Sequence, residues 1–335
     1  MNSGWATRAL LLAGVLALAA FPFVGDEFYV ELVVRMMILG IFAMSLDLLI
    51  GFTGLVSFGH AAFFGLSAYV LALITPDSGP VSIWWALPLC LLVTSAAALV
   101  VGWFSVRTSG IYFIMITLAF AQMLFYFFNQ NADLGGSDGL FIFFKPEVAV
   151  GSTVLLDLSD QHTFYWFVLG GLVASYLLLA VMLEAPFGRV VRGIKVNESR
   201  TRALGYATQR YKLVSFILAA AVAGFAGFLE ATHTSFVNPA HLSWHESGLA
   251  MMFVILGGMG TLYGPVIGSF AFGLMQDQFQ ELTEHWSLVI GIFVILIVLF
   301  LPQGIAGLVK RVAGTGAARA LPPPPSAETG DEAPK

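Results

Sequence analysis

The chain has 335 residues, of which 58% are hydrophobic and only 10% are charged, and its formal net charge is −5. Soluble domains carry about 25% charged residues, so this composition excludes a soluble globular protein. The apolar runs are long and continuous, which predicts membrane-crossing α-helices and argues against the short alternating strands of a transmembrane β-barrel. The single cysteine, Cys90, excludes a disulfide bond within the chain.

Successive apolar runs predict an all-α polytopic membrane protein with about 8–10 transmembrane segments. The first run follows Arg8 and has no clean small-residue cleavage site after it, so we interpret it as a retained helix and not as a signal peptide. The runs cover residues 9–24, 29–50, 55–75, 81–106, 110–129, 163–183, 213–236, 247–276 and 285–302.

The third run starts with a polar, glycine-rich stretch, GFTGLVSFGHAAFFG, that begins at Gly51. Gly51, Gly54 and Gly59 predict a kinked or discontinuous entry into the membrane, because glycine weakens a helix. Broken backbone at membrane depth is tolerated only where it is buried in protein or lines a wet cavity. We therefore assign Gly51, Gly54, Ser57 and His60 to a translocation pathway. For His60, a neutral histidine packed in the core is the alternative.

Asp47 and Glu230 are carboxylates within the apolar runs. A carboxylate at the bilayer centre is costly unless it is paired or hydrated. We expect Asp47 to be paired structurally near the inner interface, and Glu230 to face the outside at the end of its helix.

The loop at residues 184–212 is strongly basic, since seven of the 15 Lys and Arg residues lie between Arg189 and Lys212. By the positive-inside rule this loop is cytoplasmic, and counting back along the runs places the N-terminus in the cytoplasm as well. Two short helices are predicted in it. Asn197 or Ser199 can cap the second helix, and Gly205 can end it in a left-handed conformation. A loop that only sets the topology is the alternative.

The mixed charges and apolar residues of this loop suit an amphipathic helix that docks on a cytosolic partner. The chain contains no G-x-x-x-x-G-K-S/T phosphate loop, and it has few intramembrane carboxylates for ion coupling. We therefore expect an external ATPase as the partner. The residues assigned to coupling are Arg192, Asn197, Glu198, Ala203, Leu204 and Gly205.

The run at residues 247–276 is predicted to be interrupted. Lys310 and Arg311 should be cytoplasmic, yet three runs separate them from the basic loop, so one run is not a single span. This run contains GGMGTLYGPVIG, whose glycines and Pro265 break a helix. We predict a hairpin or two half-helices, with the acidic segment DQFQELTEH outside. The pathway residues of this stretch are Gly257, Gly258 and Gly260.

His241 and His245 are four residues apart and lie beside Glu246. On a helix such a pair can share a metal ion. The alternative is an interfacial segment, because Pro239 breaks any helix there and Trp244 is typical of the aromatic belt. We predict neither a metal site, nor a cofactor, nor a catalytic residue.

Five segments together resemble the permease subunits of branched-chain amino acid ABC importers, a LivM-like family. They are, in order, SLDLLIGFTGLVSFGHAAFFGLSAYV, RTSGIYFIMITLAFAQM, NESRTRALGYATQRYKLVSFILAAAVAGFAGFL, FVILGGMGTLYGPVIGS and LPQG. The likeness runs from about residue 30 to 310. The resemblance implies an ABC importer permease fold in the bacterial inner membrane. Asp47 departs from the family, where a neutral amide is commoner.

The resemblance also implies four kinds of partner: a second homologous permease, two cytosolic ATP-binding subunits, a periplasmic solute-binding protein and the lipid bilayer. The solute would be a branched-chain amino acid or, as elsewhere in the family, urea or a short amide. We expect a permease domain over residues 1–312 and a disordered cytoplasmic tail over residues 313–335. A stand-alone secondary transporter or channel, and a membrane enzyme built on the histidines, remain as alternatives.

Overall fold

Long α-helices account for most of the structure, a computed structural model that describes residues 3–76, 78–150, 153–301 and 303–307. The expected all-α polytopic architecture is confirmed. Lys310, Arg311 and the tail at residues 313–335 lie outside the described residues, so the predicted domain boundary stays a prediction.

Within the described residues, twelve α-helices follow one another along the chain. Five helical segments are long and apolar enough to cross a membrane: Glu27–Thr53, Ile83–Ser105, Ile111–Gln130, Gln161–Glu184 and Thr208–Thr234. The helices are α1 Ser3–Ala20, α2 Glu27–Asp47, α3 Ala61–Ile74, α4 Ile83–Ser105, α5 Ile111–Gln130, α6 Gln161–Glu184, α7 Pro186–Val196, α8 Glu198–Ala203, α9 Thr208–Thr234, α10 Trp244–Gly257, α11 Gly264–Leu282 and α12 Trp286–Phe300.

Two small antiparallel sheets, which the sequence reading did not anticipate, complete the fold. Strand β1 (Leu140–Phe141) pairs with β4 (Phe236–Val237), and β2 (Glu147–Val150) pairs with β3 (Thr153–Asp157). The pair β1–β4 connects the segment after α5 with the end of α9. These strands therefore tie together the connections at the end of the molecule opposite the basic loop.

Helix α2 forms the centre of the molecule, in contact with α6, α9, α10 and α11. Its residues from Met36 to Asp47 are buried with the exception of the half-buried Leu39, as expected for a helix that is apolar on all sides. Helices α4 and α5 instead expose large apolar side chains such as Trp103 and Tyr112. The long apolar helices thus divide into a central one and peripheral ones suited to lipid.

Glycines allow the central helices to approach one another closely. A Cβ atom at Gly227 of α9 would collide with the backbone oxygen of Phe64 in α3, and one at Gly224 would lie 2.9 Å from a methyl group of Thr94 in α4. Small residues at helix interfaces permit such backbone contact in membranes. The contact between α3 and α9 is therefore a direct backbone packing.

Helices α10 and α11 form a tight antiparallel hairpin. A Cβ atom at Gly257 would collide with the backbone oxygen of Gly264, and one at Gly268 with that of Phe253. The prediction that the run at residues 247–276 is not a single span is confirmed. Helix α11 continues to Leu282 and so includes much of the acidic segment DQFQELTEH, whose position outside the membrane stays a prediction.

We expect Gly227→Val to lower the free energy of unfolding by about 1–3 kcal/mol, because overpacking against backbone cannot be relieved by a side-chain rotation. The midpoint of thermal unfolding in detergent measures the effect. Gly170→Val is the matched control, since Gly170 is an exposed helical glycine with no heavy atom within 4 Å of a Cβ atom. Equal midpoints for the two variants would contradict direct packing of α3 on α9.

Candidate functional site

The connection between α2 and α3 is unwound, as the glycines of the sequence predict. Helix α2 continues as a π-helical turn, Leu48–Thr53, and ends at Gly54, whose φ of 80° is left-handed. Glycine adopts this conformation at little cost. Residues 55–59 have no regular structure, and α3 begins only at Ala61. Two helices with an unwound connection therefore take the place of one continuous span, as the sequence predicts.

The turn between α10 and α11 meets this unwound segment. Gly258 and Gly260 have φ values of 119° and 78°, and the amide of Gly260 donates a hydrogen bond of 2.8 Å to Oδ1 of Asp47. A Cβ atom at Gly51 would lie 2.6 Å from the nitrogen of Gly260 and would also collide with the Asp47 carboxylate. The two glycine-rich segments, far apart in sequence, thus form one joint.

Asp47 is the side chain that holds this joint together. It is fully buried, and one carboxylate oxygen, Oδ2, has no hydrogen-bond partner among the described residues. The expected structural pairing of Asp47 is confirmed by its bond to Gly260. Glu230, in contrast, is almost completely buried with only 6% of its surface exposed, so the expectation that it simply faces the outside is wrong.

Helix α7 of the basic loop rests directly on the π-helical turn. Nζ of Lys195 donates a hydrogen bond of 2.5 Å to the backbone oxygen of Gly51, and the guanidinium of Arg192 lies 5.5 Å from the centre of the Phe52 ring. The sequence analysis assigns Arg192 to coupling but does not include Lys195. Their spacing of three residues, which places both on one helix face, was the available signal.

The basic loop forms the two short helices that were predicted, and both predicted caps are present. The side chain of Asn197 accepts a hydrogen bond of 2.8 Å from the amide of Arg200 at the start of α8. Gly205 follows the end of α8 with a φ of 90°, and its amide donates to the oxygen of Arg202. The loop is therefore an ordered element with defined ends.

Glu198 stabilises the loop from within. Its carboxylate pairs with Arg202 at 3.0 Å and with Lys212 at 3.1 Å, and it accepts a hydrogen bond from Thr208. Partial burial by itself would raise the pKa of Glu198, but these three partners hold it below its usual value of 4.5. The contribution to stability is therefore complete above pH 4.5 and is lost as the pH falls through the lowered pKa.

His60 and Ser57 lie inside the chain's own core. Oγ of Ser45 donates its hydrogen to the oxygen of Phe42, so it accepts a hydrogen bond from Nε2 of His60, at 2.8 Å. The imidazole also stacks on the Phe42 ring, with centroids 5.6 Å apart. The buried Ser57 accepts a hydrogen bond from Gly59. These contacts match the alternative of a packed core histidine, and the pathway role of both residues stays a prediction.

Helices α3 and α10 begin next to each other within the body of the protein. The amide of Ala61 donates to Oγ of Ser247 at 2.8 Å, and a Cβ atom at Gly65 would lie 2.9 Å from the backbone of His241. Strand β4 ends at Val237, and a short 3-10 turn, Pro239–Leu242, precedes α10. The predicted break before α10 is thus confirmed.

The histidines near this break contact aromatic rings. His241 lies against Phe64, with centroids 6.0 Å apart, and His245 against Trp244, with centroids 3.9 Å apart. Among the residues that the structure describes, no group of three or more His, Cys, Asp or Glu is arranged to hold a metal ion.

We expect Asp47→Ala to reduce the free energy of unfolding by about 1–3 kcal/mol, because it removes the acceptor of a buried amide. Asp47→Asn is the matched control, since it retains an oxygen that can accept from Gly260. Thermal unfolding of the purified protein measures the difference. If Asp47→Ala were as stable as Asp47→Asn, the bond between the two glycine-rich segments would not stabilise the fold.

Comparison with known proteins places the whole arrangement in a family. The family model described as "Branched-chain amino acid transport system / permease component" matches residues 28–299. High-affinity branched-chain amino acid transport system permease protein LivM of Salmonella typhimurium is 28% identical over 322 residues, which cover 90% of this chain and 76% of that protein. LivM of Escherichia coli is 28% identical over 323 residues, with the same coverage.

A more distant relative is BraD of Pseudomonas aeruginosa, also a high-affinity branched-chain amino acid transport system permease protein. It is 22% identical over 296 residues, which cover 79% of this chain and 90% of that protein. No solved structure matches the chain significantly. The match over most of the chain and the apolar helices together identify this protein as a member of the branched-chain amino acid transport permease family, a membrane-spanning permease subunit of an ATP-binding-cassette importer.

Proposed function

We propose that this chain and a second, homologous permease form the route of a branched-chain amino acid or a related small solute across the bacterial inner membrane. Two cytosolic ATP-binding subunits would drive transport, one of them docked on α7 and α8 of this chain. An extracytoplasmic solute-binding protein would deliver the solute at the opposite end. The names of the relatives support the solute class. ATP hydrolysis belongs to the partners, because the chain has no phosphate loop.

The contact between Lys195 and Gly51 is the observation that carries this proposal. It joins a surface helix directly to the backbone oxygen of the unwound segment. Gly51 in turn lies against Asp47 and Gly260, so a displacement of α7 acts on both glycine-rich segments together. Helices that move as rigid bodies around unwound segments are the usual basis of alternating access.

The outer surface of the loop has the character of a docking site. Val196 and Leu204 are 83% and 73% exposed, although both are apolar, and Ala203 beside Leu204 is exposed as well. Exposed apolar residues on an ordered loop indicate a protein partner. Asn197 and Glu198 have their partners within the chain, so they act by holding the loop in shape, while Val196, Ala203 and Leu204 meet the ATPase.

The positive charges support a cytoplasmic position for the loop and for both ends of the chain. The loop is by far the most basic part of the sequence, and cytoplasmic loops of membrane proteins carry an excess of Lys and Arg. The pathway in this proposal passes the two unwound segments. Its residues are Gly51, Gly54, Ser57, His60, Gly257, Gly258 and Gly260.

The docking role is tested with a double variant, Arg192→Glu with Gly205→Trp, in the complete importer reconstituted in proteoliposomes. The reversed charge loses its position over Phe52, and a side chain at the left-handed Gly205 is strained. We expect the protein to reach the membrane, solute-stimulated ATPase activity to be abolished and uptake to stop. Unchanged stimulated activity would contradict the proposal, as would solute flux through liposomes that contain this chain alone.

Lys195→Met should separate ATP hydrolysis from transport. Methionine retains the apolar stem against Gly54 but cannot donate to the oxygen of Gly51. We expect uptake per ATP hydrolysed to fall roughly 5- to 150-fold, the range of typical coupling energies between sites. Arg189→Met is the control, because Arg189 is an exposed base on the same helix. Equal transport by both variants would show that the contact does not transmit motion.

A further inference from the structure

A small groove lies on the surface between α2 and α11, towards the end of the molecule opposite the basic loop. It encloses about 70 Å³ and is lined on one side by Arg35 and on the other by Gln276, Asp277 and Gln280. Apolar walls from Leu32, Leu39 and Phe272 complete it. Charged and amide side chains therefore converge on one spot of a mostly apolar surface.

Arg35 occupies an unusual position for a charged residue. It is eight residues from Glu27, the first residue of α2, and thus about 12 Å along a membrane-spanning helix at 1.5 Å per residue. Ionisable residues at such depth face a water-filled cavity or a protein interior, because contact with lipid is costly. Among the described residues, Arg35 forms neither an ion pair nor a side-chain hydrogen bond.

The carboxylate that lines the groove does not pair with Arg35. Asp277 lies across the groove from Arg35, and the ion pairs among the described residues do not include these two side chains. The positive and negative groups are therefore held apart at the groove, as a ligand that carries both charges would require.

The groove is closed on the side of the basic loop. Oγ of Ser269 in α11 donates to the backbone oxygen of Met36 at 3.0 Å, and a Cβ atom at Gly40 would lie 3.0 Å from the same Oγ. Gly273 lies against the Met36 side chain. Small residues thus bring α2 and α11 together on the side of the groove that is nearer the docking loop.

We propose that this groove binds the charged head group of a zwitterionic α-amino acid on its way through the importer. Arg35 binds the carboxylate with its planar pair of donors, and Asp277 with the neighbouring amides accepts the ammonium group. The groove is too small for a whole amino acid, so the second permease covers the side chain. This inference rests on the proposed function and narrows it, because urea and neutral amides lack the carboxylate that Arg35 recognises.

The first test is uptake of radiolabelled leucine by proteoliposomes that contain the complete importer. We expect Arg35→Gln to reduce uptake at low leucine roughly 10- to 100-fold, the usual effect of losing a hydrogen-bonded charge. Arg35→Lys should recover part of the uptake. Arg107→Gln is the matched control, since Arg107 is an exposed arginine over the Trp103 ring. Uptake by Arg35→Gln equal to that by Arg107→Gln would overturn the inference.

A second variant keeps the test independent of how Arg35→Gln folds. Gln280→Cys places a thiol at the rim of the groove, and the native Cys90 is buried. We expect leucine to slow its modification by a water-soluble methanethiosulfonate in the importer without the binding protein. Leucinamide, which has no carboxylate, should not slow it. Equal protection by both compounds, or no protection by leucine, would overturn the inference.

The two proposals fail in different ways. If the wild-type importer takes up leucine and the Arg35 and Gln280 variants behave as the control, the groove is not the site but the proposed function stands. If the wild-type importer takes up urea or short amides and no amino acid, this inference and the amino acid substrate are both wrong. If the assembled importer moves no solute with ATP, the proposed function itself is wrong.

Discussion

The need to satisfy backbone polar groups inside a membrane is the constraint on which the rest of this structure depends. Between Asp47 and Ala61 the chain gives up regular α-helical bonding, and an unsatisfied backbone group costs several kcal/mol in hydrocarbon. Residues from distant parts of the sequence supply hydrogen-bond partners for this segment and for the turn packed against it. Lys195 binds the oxygen of Gly51, and the carboxylate of Asp47 accepts from Gly260. An unwound segment of this kind can exist only where such partners surround it.

Glycine makes that meeting of segments sterically possible. The nitrogen of Gly260 would lie 2.6 Å from a Cβ atom at Gly51, so no larger residue fits there without a shift of the backbone. Glycine likewise allows backbone contact between α10 and α11 at Gly257 and Gly268, and between α3 and α9 at Gly227. Contacts between backbones leave little room for independent motion. A displacement of α7 therefore reaches both glycine-rich segments with few intervening side chains, as our proposal of an ATPase docked on α7 requires.

Ionisable groups lie in three regions of the molecule: the basic loop, the joint between the glycine-rich segments, and the groove near the other end of α2. The basic loop carries most of its charges at the surface, with the half-buried Glu198 among them as an internal partner. Asp47 at the joint accepts a structural hydrogen bond from the amide of Gly260. Arg35, near the other end of α2, has no such partner among the described residues, and in our proposal its partner is the solute. The carboxylates of Glu198 and Asp47 thus bind partners within the chain, whereas in our proposal the guanidinium of Arg35 is available to the solute.

The sequence by itself determined the class of protein, the broken segments and the ordered basic loop. Long apolar runs, helix-breaking glycines, Asn197 and Gly205 are local signals, since each acts through the residues beside it. Only the tertiary structure decided which side chains meet. Lys195 and Gly51 are 144 residues apart and Asp47 and Gly260 are 213 apart, and no periodicity specifies such contacts. For the same reason His60, conspicuous in the sequence, lies in the core against Phe42 and Ser45, while Arg35, inconspicuous there, lies at the groove.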